Sequence, residues 1–310
     1  MFSRLIGDIG GTHARFALCE PGGVPEDVQK LKVQDYPGLA EAAEAYLAGR
    51  RVSEAVFAVA CPVVGDMVAF TNSPWAFSIR EVQARLGLKH LAVINDFAAQ
   101  AQAVPYLETT ELRPLKPGAM PGREPAVVLG PGTGLGVAFL VPGDRRFKVW
   151  PSEAGHCSFA PQDPLQVEVL HLLRREYGHV SYERIVSGPG LQNLANALAE
   201  IRGDAARFAA PKEVSERAGQ GCAISLEALR VFAFSLGAMA GNLALALLTR
   251  GGVFVAGGLC RNLGPLLDVQ AVTEGFTAKG RFASYLGEVP ITQVMRPHAG
   301  LLGAAHFTHG

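Results

Sequence analysis

Chemistry in this chain begins at Asp8. A carboxylate follows the apolar run Leu5-Ile6-Gly7, the turn Gly10-Gly11-Thr12 comes next, and Phe16 to Cys19 again favours a strand. Adjacent glycines accept positive φ and present backbone N–H groups with no Cβ in the way. Such amides, with the Thr12 hydroxyl, suit phosphate oxygens, and Asp8 suits a hydrated Mg²⁺ bridging those phosphates. An ordinary hairpin turn, with Asp8 and Thr12 bonded only to backbone, accounts for the same residues.

The pattern returns later. Ala126-Val127-Val128-Leu129 reads as a strand, Gly130-Pro131-Gly132-Thr133-Gly134-Leu135-Gly136 as a turn, and Val137 to Val141 as a second strand. Two such turns facing each other would clamp one polyphosphate; chance similarity of two hairpins is the plainer reading. Neither turn carries the Lys of a Walker A loop, and neither leads into a helix as a dinucleotide-binding glycine motif does. A third glycine step, Gly257-Gly258, follows the strand Val253 to Ala256. It suits either a flat base lying against bare backbone or a tight strand-to-helix turn.

The elements that must position these groups alternate. Val28 to Val33 and Ala55 to Ala60 read as strands, and Leu39 to Leu47 as a helix ending near Gly49. Ser78 with Glu81 has the spacing of a capping box, opening a helix that ends at Gly87. The strand His90 to Ile94 leads into Asn95-Asp96 and an alanine-rich helix, which either residue could cap. Asp163-Pro164 opens a helix running to Gly178. Strands followed by helices on this scale indicate an α/β protein with a largely parallel portion. Four prolines from Leu112 through Pro125 mark either a domain boundary or a surface loop within the second half.

Bulk properties narrow the partners. The 310 residues exceed a usual single core and indicate two domains. With 28 Lys+Arg against 28 Asp+Glu there is no basic stripe, which argues against nucleic acid. The 5 cysteines are odd in number and form no C-x-x-C pair, as expected in a reducing cytoplasm. The N-terminus has no charged region followed by an apolar one, so no export signal is expected. Val231 to Thr249 carries no charge and is long enough to span a bilayer. Its glycines, its start near Ser225 and Glu227, and its stop at Gly251-Gly252 read instead as a buried helix, with no membrane partner.

Taken in order, these motifs make the chain resemble the bacterial glucokinase family, in the branch outside the repressor–kinase (ROK) group. The residues carrying the resemblance are Gly7-Asp8-Ile9-Gly10-Gly11-Thr12, Asn95-Asp96-Phe97, Gly132-Thr133-Gly134-Leu135-Gly136, Ser152-Glu153-Ala154-Gly155-His156, Ser187-Gly188-Pro189-Gly190 with Leu191, and Gly257-Gly258. His13 stands where the family favours Asn, and Ala154 where a Gly is common. The cysteine-rich zinc motif of the repressor–kinase relatives is missing from the sequence.

The resemblance implies a two-domain actin-like ATPase (ribonuclease H-like) fold, each domain a mixed sheet with flanking helices around a central cleft. A small domain of residues 1–106 plus a C-terminal helix 297–310, and a large domain of 107–296, are expected. It implies ATP with Mg²⁺ as donor, D-glucose as acceptor and a homodimer. Asp96 becomes the general base for the 6-hydroxyl. Asn95, Asp96, Glu153, His156 and Glu183 become sugar contacts, since a hexose is a ring of hydroxyls needing paired donors and acceptors. Asp8 is then the Mg²⁺ residue, acting through water. Gly10, Gly11, Thr12, Gly132, Thr133 and Gly134 hold phosphates, and Gly257 and Gly258 border the adenosine. A kinase of the same fold for another hexose or donor, and a sugar-responsive regulator without turnover, are the alternatives.

Overall fold

The apolar run before Asp8 forms strand β1 (Arg4–Ile9), and the glycine turn returns the chain as β2 (His13–Cys19). This is a computed structural model, and it describes residues 3–70, 73–119 and 122–308. Those residues group into two compact units: the chain up to Glu108 together with Arg296 onward, and Thr109–Met295.

In the first unit β3 (Glu26–Lys32), β4 (Glu54–Val59), the short pair β5 (Met67–Ala69) and β6 (Ala76–Ser78), and β7 (His90–Asn95) follow β2. Five strands form one sheet in the order β3-β2-β1-β4-β7. β1, β2 and β3 are antiparallel, while β4 and β7 run parallel to β1. Alternation sorts the side chains between two faces. Leu5, Phe16, Leu18 and Phe57 pack with the helix Leu39–Leu47, where Phe16 stacks on Tyr46 at 5.5 Å. Ile6, Ala17, Cys19 and Val56 pack instead with Leu301, Ala304 and Ala305. These last belong to the helix Ala299–Ala305, shorter than the 297–310 that the family resemblance implies, with residues 309 and 310 outside the described residues.

The second unit contributes β8 (Leu112–Lys116), β9 (Ala126–Pro131), β10 (Leu135–Pro142), β11 (Phe147–Ser152), β12 (Val253–Val255) and β13 (Ile291–Val294). Their order is β11-β10-β9-β12-β13-β8. The first five repeat the order and directions of the other sheet: an antiparallel trio, then two strands parallel to β9. The proline-rich stretch lies inside this unit, and Pro114 sits on the edge strand β8, where a missing N–H is tolerated.

The membrane-length stretch is the helix Ala223–Leu247, and 72% of its most apolar window is buried within the fold. It starts two residues before Ser225, with Cys222 at the cap position, and ends where Leu248 turns left-handed. Gly237 and Gly275 bring it against the helix Val269–Thr277 at backbone distance, where a Cβ on either would strike a carbonyl of the other helix.

Candidate active site

The first unit gathers its polar groups at one sheet edge. Ile9, Val59 and Asn95 are in register across β1, β4 and β7, so the three parallel strands end together. Asp8 and Asp96 therefore lie at the same edge, roughly 10 Å apart by strand spacing.

Asp8 faces Arg15 directly across the β1–β2 ladder, with an Arg15 guanidinium nitrogen 3.5 Å from Asp8 Oδ2. His298 also lies close enough to attract the carboxylate. Crowding by protein atoms nonetheless dominates and pushes the Asp8 carboxyl above its usual range. The turn spends the Gly10 N–H internally, donating to the His13 carbonyl at 2.9 Å, and Val33 N–H donates to the Thr12 carbonyl at 3.0 Å. Gly10 thus offers close approach rather than a donor, while Thr12 stands exposed at the tip.

Asn95 and Asp96 are divided by geometry. Asn95 is the N-cap of the helix Asp96–Ala103, its Oδ1 accepting from Phe97 N–H at 3.0 Å and Ala98 N–H at 3.1 Å. Asp96 is the first helical residue, and its Oδ1 accepts from Phe97 N–H at 2.9 Å. Cys61, past the end of β4, is buried, and burial together with the Asp96 charge raises its thiol pKa.

The second unit repeats the turn. Gly132 N–H donates to the Gly134 carbonyl at 2.8 Å, and Thr133 is exposed at the tip as Thr12 is. Glu153 and His156 bracket a single 3₁₀ turn after β11, with His156 N–H donating to the Glu153 carbonyl at 2.9 Å. Their side chains are 63% and 59% exposed, with the imidazole 3.8 Å from the carboxylate, so both remain open to a hydroxyl-bearing ligand. Glu183 lies in a second 3₁₀ turn, and its Oε2 accepts from Leu135 N–H at 2.9 Å. Ser187 caps the helix Gly188–Arg202 through Gly190 N–H and donates its own hydroxyl to the Glu183 carbonyl at 2.7 Å. Gly257 adopts φ +85° and Gly258 opens the helix Gly258–Leu263, a tight strand-to-helix turn.

No group of three or more His, Cys, Asp or Glu side chains is placed to hold a metal among the described residues. Asp8 supplies a hard carboxylate oxygen, and one carboxylate suits Mg²⁺, an ion that keeps most of its water and takes further ligands from phosphates. Sequence reasoning missed Arg15 and His298. Counting outward from the first turn would have set Arg15 opposite Asp8; no local signal reaches His298.

The sequence profile of the family described as Glucokinase matches residues 5–310. The glucokinase of Cronobacter sakazakii is 42% identical over 98% of this chain and 96% of its own length. Among solved structures, a glucokinase from an Antarctic psychrotroph superposes with a TM-score of 0.87 at 36% identity, covering 99% of this chain and 98% of that one. A ROK family glucokinase from Streptomyces griseus, solved with glucose and AMPPNP, shares the fold at a TM-score of 0.66 and 23% identity, covering 97% of each chain. The chain therefore belongs to the glucokinase family.

Proposed function

We propose that this protein transfers the terminal phosphoryl group of ATP to the 6-hydroxyl of D-glucose, as an ATP:D-glucose 6-phosphotransferase. The observation that carries the reading is the division of labour after β7. Asn95 takes the N-cap role, and Asp96, the first helical residue, sets its carboxylate at the sheet edge that also holds Asp8 and the Thr12 turn. Phosphoryl transfer asks the protein for in-line positioning, charge stabilisation and a proton acceptor. Asp96 takes the proton from the attacking hydroxyl. The Asn95 amide, Glu153, His156 and Glu183 orient the ring hydroxyls, and a sugar lacking one leaves these groups unpaired. The Thr12 and Thr133 turns hold the phosphates, and Gly257-Gly258 borders the adenosine. Asp8 would hold Mg²⁺ through water; when bound, the ion neutralises charge on the phosphates.

We read the two compact units as the small and large domains of an actin-like ATPase fold. We further propose that the protein is a homodimer of the reducing cytoplasm, as the family resemblance implies.

The test is ADP release from Mg-ATP across a panel of hexoses, with ADP and inorganic polyphosphate as alternative donors. Glucose-dependent ADP release is expected. Turnover only with another sugar or donor replaces the substrate assignment, and sugar binding with no turnover under any donor replaces the enzyme with a sensor.

A further inference from the structure

The second phosphate turn does not stand alone. The segment 183–190 grips it at both ends, with Leu135 N–H bonded to Glu183 Oε2 at 2.9 Å and Gly188 N–H donating to the Gly132 carbonyl at 2.8 Å. These bonds bracket Thr133. Gly134 lies flat on the carboxylate, since a Cβ there would sit 2.6 Å from Glu183 Oε2. The buried Gly155, within the Glu153–His156 turn, rests against the Leu135 carbonyl and leaves no room for a Cβ. Both sugar-side segments of this unit therefore lean on the same few residues of the turn.

We propose that Glu183 is a positioning residue that couples the acceptor sugar to the second phosphate turn through its hydrogen bond with Leu135 N–H. The proposal rests on the sugar-contact role assigned to Glu183 above. A carboxylate has about four acceptor sites on two oxygens. With Oε2 engaged by Leu135, Oε1 remains for a ring hydroxyl. A hydroxyl bound there fixes the carboxylate, the carboxylate fixes Leu135, and the Thr133 turn is ordered before nucleotide arrives. Coupling of this kind is reciprocal: glucose tightens nucleotide binding by the factor by which nucleotide tightens glucose binding.

Two substitutions separate the links. Glu183→Gln keeps an oxygen that accepts from Leu135 N–H; Glu183→Ala keeps none. Binding of a non-hydrolysable ATP analogue with Mg²⁺ is measured by calorimetry, first without sugar. Glu183→Gln is expected within about twofold of wild type and Glu183→Ala weaker by about 5- to 20-fold, the scale of ordinary coupling factors. Adding glucose should then tighten the analogue on wild type and leave Glu183→Ala unchanged. Gly134→Ala approaches from the other side. Its Cβ displaces the carboxylate, so glucose affinity should fall several-fold although the change lies on the donor turn, with a melting curve reporting that the protein is folded. Equal analogue affinity for Glu183→Ala and wild type without sugar overturns the proposal, as does unchanged glucose affinity in Gly134→Ala. The sugar-free arm stands apart from the kinase reading, which fails only if wild type shows no glucose-dependent turnover.

Discussion

Asn95 and Asp96 hold adjacent positions that either residue type could fill, and the structure gives the cap to Asn95. That makes Asp96→Asn a clean probe. Asparagine is nearly isosteric and still bonds a hydroxyl, but it cannot take up a proton. General-base catalysis contributes about 10²–10⁴ in rate, so kcat should fall by that order while glucose titration shows binding retained. A variant keeping more than about a tenth of wild-type kcat removes Asp96 as the base. Asp8 makes a different kind of prediction, because burial raises its carboxyl pKa against the pull of Arg15 and His298. The folded protein holds that proton more firmly than the unfolded chain. The contribution of Asp8 to stability is therefore full below the ordinary carboxyl pKa of about 4 and is lost as pH climbs through the raised folded value. Asp8→Asn escapes that loss. Its melting temperature relative to wild type should rise from pH 4 to pH 7 in metal-free buffer, and Mg²⁺ with an ATP analogue should narrow the gap by stabilising wild type more than the variant. A relative melting temperature that falls over that range would mean that the Arg15 pair outweighs burial.

Helices and turns carry their own test at the crossing of Ala223–Leu247 with Val269–Thr277. Gly237 meets the Val272 carbonyl and Gly275 meets the Phe234 carbonyl, so each helix offers a glycine to the other's backbone. Gly275→Ala must push the helices apart, and overpacking of this kind costs about 1–3 kcal/mol. Urea unfolding measures it; an unchanged midpoint would show that the crossing has slack. Elements whose signals are local were legible from the sequence alone. Leu39–Leu47, the start at Asp163-Pro164 and both glycine hairpins lie where composition and caps put them. The start of the long helix was misplaced because Cys222 is not a usual cap and Ser225 is. Within the candidate site, the turns and the Asn95-Asp96 step were visible because they interrupt apolar runs. The Arg15–Asp8 pairing needs strand register, and the Glu183–Leu135 bond spans 48 positions. Neither is written in any short window of sequence.

At the scale of the whole chain, one sheet plan is used twice, and the chain leaves the first unit at Glu108 and re-enters it at Arg296. The returning segment needs an anchor, and Arg4 supplies it. Its Nη1 donates to the Ala305 and Phe307 carbonyls, each at 2.8 Å, where the helix Ala299–Ala305 leaves carbonyls without intrahelical donors. Its Nη2 pairs with Glu54 Oε2 at 2.7 Å on the neighbouring strand β4, with the Arg4 side chain 4% exposed. That helix also buttresses the one that begins at Asp96, since Gly303 lies against the Ala99 carbonyl with no space for a Cβ. Arg4→Met keeps the apolar stem and deletes every donor. Breaking one side of a buried ion pair costs about 3–5 kcal/mol, and the Ala305 carbonyl then keeps only the Gly22 N–H, which donates to it at 2.7 Å. The expected outcome is a lowered melting temperature and faster proteolytic release of the C-terminal segment. Glucose should protect the variant in part, because a ligand on Asn95 and Asp96 favours the state in which their helix is seated. A variant that melts within about a degree of wild type would mean that apolar packing alone seats the returning helix.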